Sequence, residues 1–227
     1  MVTGERMNDE LVLRIDGTRP LSAETVAAVV AVCDTAEDLG GHGRVIVHVS
    51  GAPQAPGAGG LTVSLVSKWE RALRRLERLP SSTVAVAEGD CGGVALEALL
   101  TTDYRIATAS VRLMVPLAAG ATWPGMALYR LARQAARAAA VRRAALFGTP
   151  IEAQEALQLH LVDELTDDTA KALTAAAERG GALDGPELAI RRQLLIEAHT
   201  TSFEEALGVH LAACDRVLRH TSAGTAS

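Results

Sequence analysis

The sequence predicts an α/β domain followed by a helical region, and three observations carry that reading. Short apolar runs at 11–15, 45–49, 83–87 and 104–107 alternate with helix-length runs at 22–39, 61–79 and 93–100. Such alternation builds a sheet through right-handed crossovers. After Pro124 the pattern turns almost wholly helical, at 126–134, 138–147, 152–159, 168–178, 187–198 and 203–218, with one brief strand candidate at 162–165. Finally, 227 residues, 48% of them apolar, suffice for one full core. With only 3% aromatic residues, Ala, Leu and Val must fill that core. The chain divides into 1–180, an α/β core, and 181–227, a helical region.

Two helix starts are marked by their residues. Thr149-Pro150-Ile151-Glu152 reads as a capping box with proline at the first helical position, and Ser202-Phe203-Glu204-Glu205 as a second box. The ends, 1–10 and 221–227, read as mobile from their small and polar residues.

Composition excludes several functions. A net charge of −5 leaves no electrostatic footprint for nucleic acid, and Arg71, Arg74, Arg75 and Arg78 alternate with Glu70 and Glu77 as a solvated helix face. Cys33, Cys91 and Cys214 are odd in number and widely spaced, which suits free thiols in a reducing compartment. No leader pattern and no run of about 18 apolar residues occurs, so a cytoplasmic protein that does not enter a membrane is expected. The six histidines lack metal-ligand spacing, and no metal is expected.

Chemistry concentrates at 83–103. There an apolar strand reads into the turn Glu88-Gly89-Asp90-Cys91-Gly92-Gly93 and then into a helix carrying one acid, Glu97. Glycines at such a junction admit a ligand close to the main chain, and the first N–H groups of a helix have no partner within it. A second glycine-rich segment, 51–60, also follows a strand. Two such segments at one sheet edge, beside an acid, suit an oxyanion hole. Neither contains Gly-x-Gly-x-x-Gly, a P-loop or Gly-x-Ser-x-Gly, which argues against dinucleotide binding, phosphate cradling and a serine nucleophile. Cys91 reads as a small turn residue, and Asp103, beyond the far end of the helix, as structural.

These residues resemble the crotonase (enoyl-CoA hydratase/isomerase) superfamily. Its Asn-Gly-x-x-x-Gly-Gly-Gly-x-Glu-Leu pattern falls on Glu88 through Ala98, and Asp103 matches its Cys-Asp. The match continues through Pro124-Gly125, the stretch 146–157, and Leu159-His160-Leu161-Val162-Asp163. Within the superfamily, the Asp90-Cys91-Gly92-Gly93 segment and Thr122-Trp123-Pro124-Gly125-Met126 look most like the DpgB-type subfamily of 3,5-dihydroxyphenylglycine biosynthesis.

The resemblance implies a spiral of ββα units whose C-terminal helices make trimer contacts. It also implies a site for acyl-CoA thioesters, with CoA arriving on the substrate and no further cofactor. Glu97 would carry the proton, Ala58 and Val94, beside Gly93, would present oxyanion N–H groups, and Leu117 and Trp123 would line the pocket. Two departures matter. The family's second glutamate position holds Leu117, and Gly59 replaces the aspartate after Gly-Ala. A lone carboxylate suits dehydration, enolisation or aromatisation of a polyketide-derived thioester better than ordinary hydration. The alternative is a non-catalytic partner that binds acyl-CoA or a type III polyketide synthase. A homotrimer or hexamer, or a complex with a related crotonase, is expected.

Overall fold

The computed structural model describes residues 4–7, 10–53, 61–118, 121–180 and 185–224. Its centre is a parallel run of strands β2 (Glu10–Asp16), β3 (Arg44–Gly51), β4 (Ser82–Gly92), β5 (Tyr104–Ala107) and β10 (Glu164–Leu165), with β1 (Gly4–Met7) antiparallel at the β2 edge. Their order along the sheet follows their order in the chain, as crossovers predict. Side chains alternate between two faces. Leu11, Leu13 and Ile15, Val45, Val47 and Val49, and Ala85 and Ala87 point into the main core. Val84 and Ile106 belong to a smaller cluster on helix α7 (Thr169–Gly180).

Helices α1 (Ala23–Asp38), α2 (Val63–Leu76) and α3 (Val94–Leu99) cover the main-core face. Ser22 caps α1 through Oγ, which accepts from Thr25 N, and Thr62 caps α2 in the same way, which fixes where each helix leaves its loop. Four side chains of α2, Trp69, Ala72, Leu73 and Leu76, are buried along one stripe. Its arginines face outward, and Arg75 pairs with Asp34 and Glu37 of α1.

Several sequence expectations need correction. Residues 88–92 extend β4 instead of forming a turn. The register shifts between Ser50 and Gly51, and Asp90, Cys91 and Gly92 then pair with Arg112, Leu113 and Met114 of β6 (Arg112–Met114). The true junction is Gly93, whose φ of 55° and ψ of −130° lie where a side chain is strained. The box at Thr149 does not form: Ile151 and Glu152 make strand β9 (Ile151–Glu152) against β6, and α6 (Ala153–Gln158) begins without a side-chain cap. The segment 4–7, read as part of a mobile end, pairs with β2. The box at Ser202 does form, with Ser202 N donating to Glu205 Oε2 and Glu205 N to Ser202 Oγ.

Beyond β6 come the hairpin β7 (Leu117–Ala118) and β8 (Ala121–Thr122), then α4 (Met126–Gln134) and α5 (Ala138–Phe147). The C-terminal helices are α8 (Pro186–Glu197) and α9 (Phe203–Gly224). Arg192 clamps α8 to the core: its guanidinium donates to both oxygens of Asp103, at 2.7 and 2.6 Å, and to the carbonyls of Leu79 and Ser81. Asp103 also accepts from Thr83 N and Oγ1. That is the structural role expected of it. Among the described residues no helix is long and apolar enough to cross a membrane, and no three metal-ligating side chains cluster.

Candidate active site

A cavity of about 170 Å³ opens at the carboxyl ends of β2 and β4. Its walls are mostly apolar, from Pro20, Leu21, Pro53, Leu61, Val66, Pro116 and the two tryptophans, Trp69 and Trp123. Gly93, Val94 and Glu97 close the wall formed by the β4 to α3 junction. Glu97 is the only acid among the described lining residues.

The local fold explains how Glu97 is aimed. Val94 and Glu97 are three residues apart on α3, so they share a face. The first intrahelical bond runs from Glu97 N to Gly93 O, which leaves the N–H groups of Val94 through Leu96 ahead of the helical ladder. Glu97 is 8% exposed, and Oε2 accepts a 2.6 Å bond from Trp69 Nε1. The backbone N–H of Ala127, in the first turn of α4, lies near the carboxyl and lowers its pKa. Gly125 caps that helix without a side chain, and none would fit. A Cβ there would stand 2.7 Å from Trp123 Nε1 and 2.8 Å from Glu97 Oε1.

Burial dominates the acid's protonation. It pushes the Glu97 pKa up to about 7, against the Trp69 hydrogen bond, while nearby Glu70 raises it further and Arg130 and the Ala127 N–H lower it. A group balanced there can take and return a proton near neutral pH. Cys91, fully buried on β4, is different: burial alone raises its thiol pKa, and the thiolate a nucleophile requires is disfavoured.

The structure thus gathers Glu97, Gly93, Val94 and Trp123 around one cavity. Leu117 is outside its lining: the side chain is half exposed and lies over Gly148, where a Cβ would meet Leu117 Cδ2 at 2.9 Å. Pairing of Leu117 with Thr122 directs it there, and its neighbour Pro116 faces the cavity instead. Ala58 lies outside the described residues. Pro53, Leu61, Val66 and Pro116 were missed from sequence, as were a loop and a tryptophan that the sequence could have shown. The loop Gly17-Thr18-Arg19-Pro20-Leu21 could have been found from its place after a parallel strand. Trp69 could have been found as one of two tryptophans in an aromatic-poor chain.

Comparison with solved structures defines the class first. An enoyl-CoA hydratase/isomerase from Marinobacter aquaeolei superposes with a TM-score of 0.79, covering 96% of this chain and 91% of its own at 17% identity. A second family protein, from Silicibacter pomeroyi, gives 0.79 at 19% identity, covering 96% of this chain and 100% of its own. At those identities the likeness shows a crotonase fold. The chain belongs to the enoyl-CoA hydratase/isomerase family, whose sequence profile matches residues 45–224. A curated enoyl-CoA hydratase from Amycolatopsis orientalis is 58% identical over 213 residues, 94% of this chain and 98% of its own.

Proposed function

We propose that this family member removes water from, or enolises, a polyketide-derived acyl-CoA thioester by moving one proton on Glu97. The observation that carries the reading is a buried carboxyl held near neutrality as the sole acid among the described lining residues. Glu97 takes the proton from the carbon next to the thioester carbonyl, and the electron pair moves onto the carbonyl oxygen. The N–H of Val94 holds the charge, with a second donor that the family resemblance assigns to Ala58; each such donor is typically worth about 3 kcal/mol in the transition state. As the electrons return, a carbon–carbon double bond forms, the β-hydroxyl departs, and Glu97 gives it the proton to leave as water.

Positioning a water between two carboxylates is the step this site lacks among its described residues, so ordinary enoyl-CoA hydration is expected to be slow. The Amycolatopsis orientalis enzyme is described as an enoyl-CoA hydratase. We assign this chain to the elimination direction and, with the DpgB-type resemblance, to aromatisation toward 3,5-dihydroxyphenylacetyl-CoA. CoA comes with the substrate, and no other cofactor takes part. The exposed apolar residues of α9 support assembly as a homotrimer or hexamer, or with a related crotonase or the type III polyketide synthase.

The test incubates that synthase with malonyl-CoA and adds the protein as wild type or Glu97→Gln, following dihydroxyphenylacetyl-CoA. Loss of general acid and base action should cost the variant about 10²–10⁴-fold in the stimulated rate. Equal stimulation by both proteins would mean that a non-catalytic partner role is correct.

A further inference from the structure

We infer that Trp69 is a positioning residue that decides which oxygen of Glu97 carries the exchanging proton, by occupying Oε2 with its indole N–H and leaving Oε1 to work. The inference rests on Glu97 being the proton carrier proposed above, and it names a residue for which that reading has no part.

An indole nitrogen can donate a hydrogen bond and cannot accept one. At 2.6 Å from Trp69 Nε1, Oε2 must therefore offer a lone pair in both protonation states of Glu97. The carbonyl oxygen of a carboxylic acid is a better acceptor than its hydroxyl oxygen, so the acid form keeps Oε2 as the carbonyl that faces the indole and carries the proton on Oε1. Trp69 cannot readily turn aside, because the ring is 1% exposed and lies in the buried stripe of α2 beside Ala72, Leu73 and Leu76. Room at Oε1 is provided by Gly125, where even a methyl group would approach to 2.8 Å. The reactive oxygen is therefore chosen by a residue 28 positions away, on a different helix.

Other charges face the carboxyl from several elements. Glu70 on α2 and Arg130 on α4 form an ion pair at 2.9 Å, and Arg19, in the loop after β2, lines the same cavity. The pair acts on Glu97 in opposite senses, Glu70 raising and Arg130 lowering its pKa. Trp69 is the only side-chain hydrogen bond among the causes of that shift. Removing the indole donor while keeping the pair should therefore raise the pKa of Glu97.

The chain contains two tryptophans, so ¹⁵N labelling gives two indole signals and Trp69→Phe assigns them. The Trp69 signal should move downfield as Glu97 ionises around neutral pH, and this titration should vanish in Glu97→Gln. In Trp69→Phe, the ¹³C carboxyl titration of Glu97 and the acidic limb of kcat/KM should both move up by about one pH unit. An indole signal indifferent to pH and to Glu97→Gln overturns the inference, and it is read with Trp69 in place even if the Phe variant folds poorly. An unmoved ¹³C midpoint in a folded Trp69→Phe protein also overturns it. Full activity in Glu97→Gln would instead remove the proposed function, while the indole titration would still report the contact.

Discussion

The site-bearing half and the C-terminal helices bury their apolar residues in different ways. In the first, Leu13, Val45, Val47, Ala85 and Leu96 are all fully buried, each placed by strand alternation or by the stripe of a crossover helix. In the second, Leu195 of α8 and Phe203, Leu207, Val209 and Leu211 of α9 are exposed, and α8 is held by polar bonds, the Arg192 clamp on Asp103, Leu79 and Ser81 and the bond from Arg133 to the Ile196 carbonyl. One half carries its own hydrophobic driving force, whereas α9 is long, amphipathic in composition and largely uncovered. The described residues that shape the Glu97 site run from Gly17 to Arg130, and none of them comes from α8 or α9. The helices behind it supply surface.

The comparison is tested most severely in the core. Leu13→Ala removes a side chain with no exposed surface, and unfolding in urea should show a loss of about 3–4 kcal/mol. A loss below about 1 kcal/mol would mean that the sheet is less tightly packed than the burial pattern implies.

Next in size is the pH dependence that the site imposes on its own half. Burial raises the Glu97 pKa from 4.5 to about 7, so the folded state is penalised when this acid ionises. Its contribution to stability is fully present below about pH 4.5 and is lost as pH rises through about 7. Glu97→Gln stays neutral throughout. The stability of the variant relative to wild type should therefore grow by roughly 2–3 kcal/mol between pH 4 and pH 8. Parallel curves for the two proteins would place Glu97 in contact with water and remove the physical basis for its proposed role as proton carrier.

How much of this was legible in the sequence follows the same division. The central strands were readable because both of their faces are buried, which leaves uninterrupted runs such as Val45-Ile46-Val47. Strands β6 to β9 are two or three residues long, too short to show a period, and β6 and β9 pair with partners far away in sequence, so no local pattern announces them. The same non-local pairing turned 88–92 from an expected glycine turn into strand and took Glu152 out of its expected capping box. At the site, Glu97 and Val94 were legible because one short helix carries both. Trp69 and the loop 17–21 reach the cavity only after the crossovers bring them there, and the position of Leu117 depends on the β7–β8 hairpin. The resemblance could point to Leu117 as the residue at the family's second glutamate position, but it could not say which way that side chain would turn.

The smallest effect is expected on α9. Leu207 and Leu211 are four residues apart on one face and 43% and 57% exposed, so Leu207→Ser and Leu211→Ser together remove little area that the subunit itself buries. Unfolding of dilute subunits should change by less than about 0.5 kcal/mol per substitution. If this face packs on other subunits, as the proposed assembly requires, sedimentation of the concentrated protein should show a lower mass for the double variant. A stability loss in dilute protein as large as that of Leu13→Ala would break the contrast between the halves, because α9 would then be packed within its own chain. A changed mass with unchanged dilute stability would sharpen it: the same 22-residue helix would contribute little to the fold and much to the assembly.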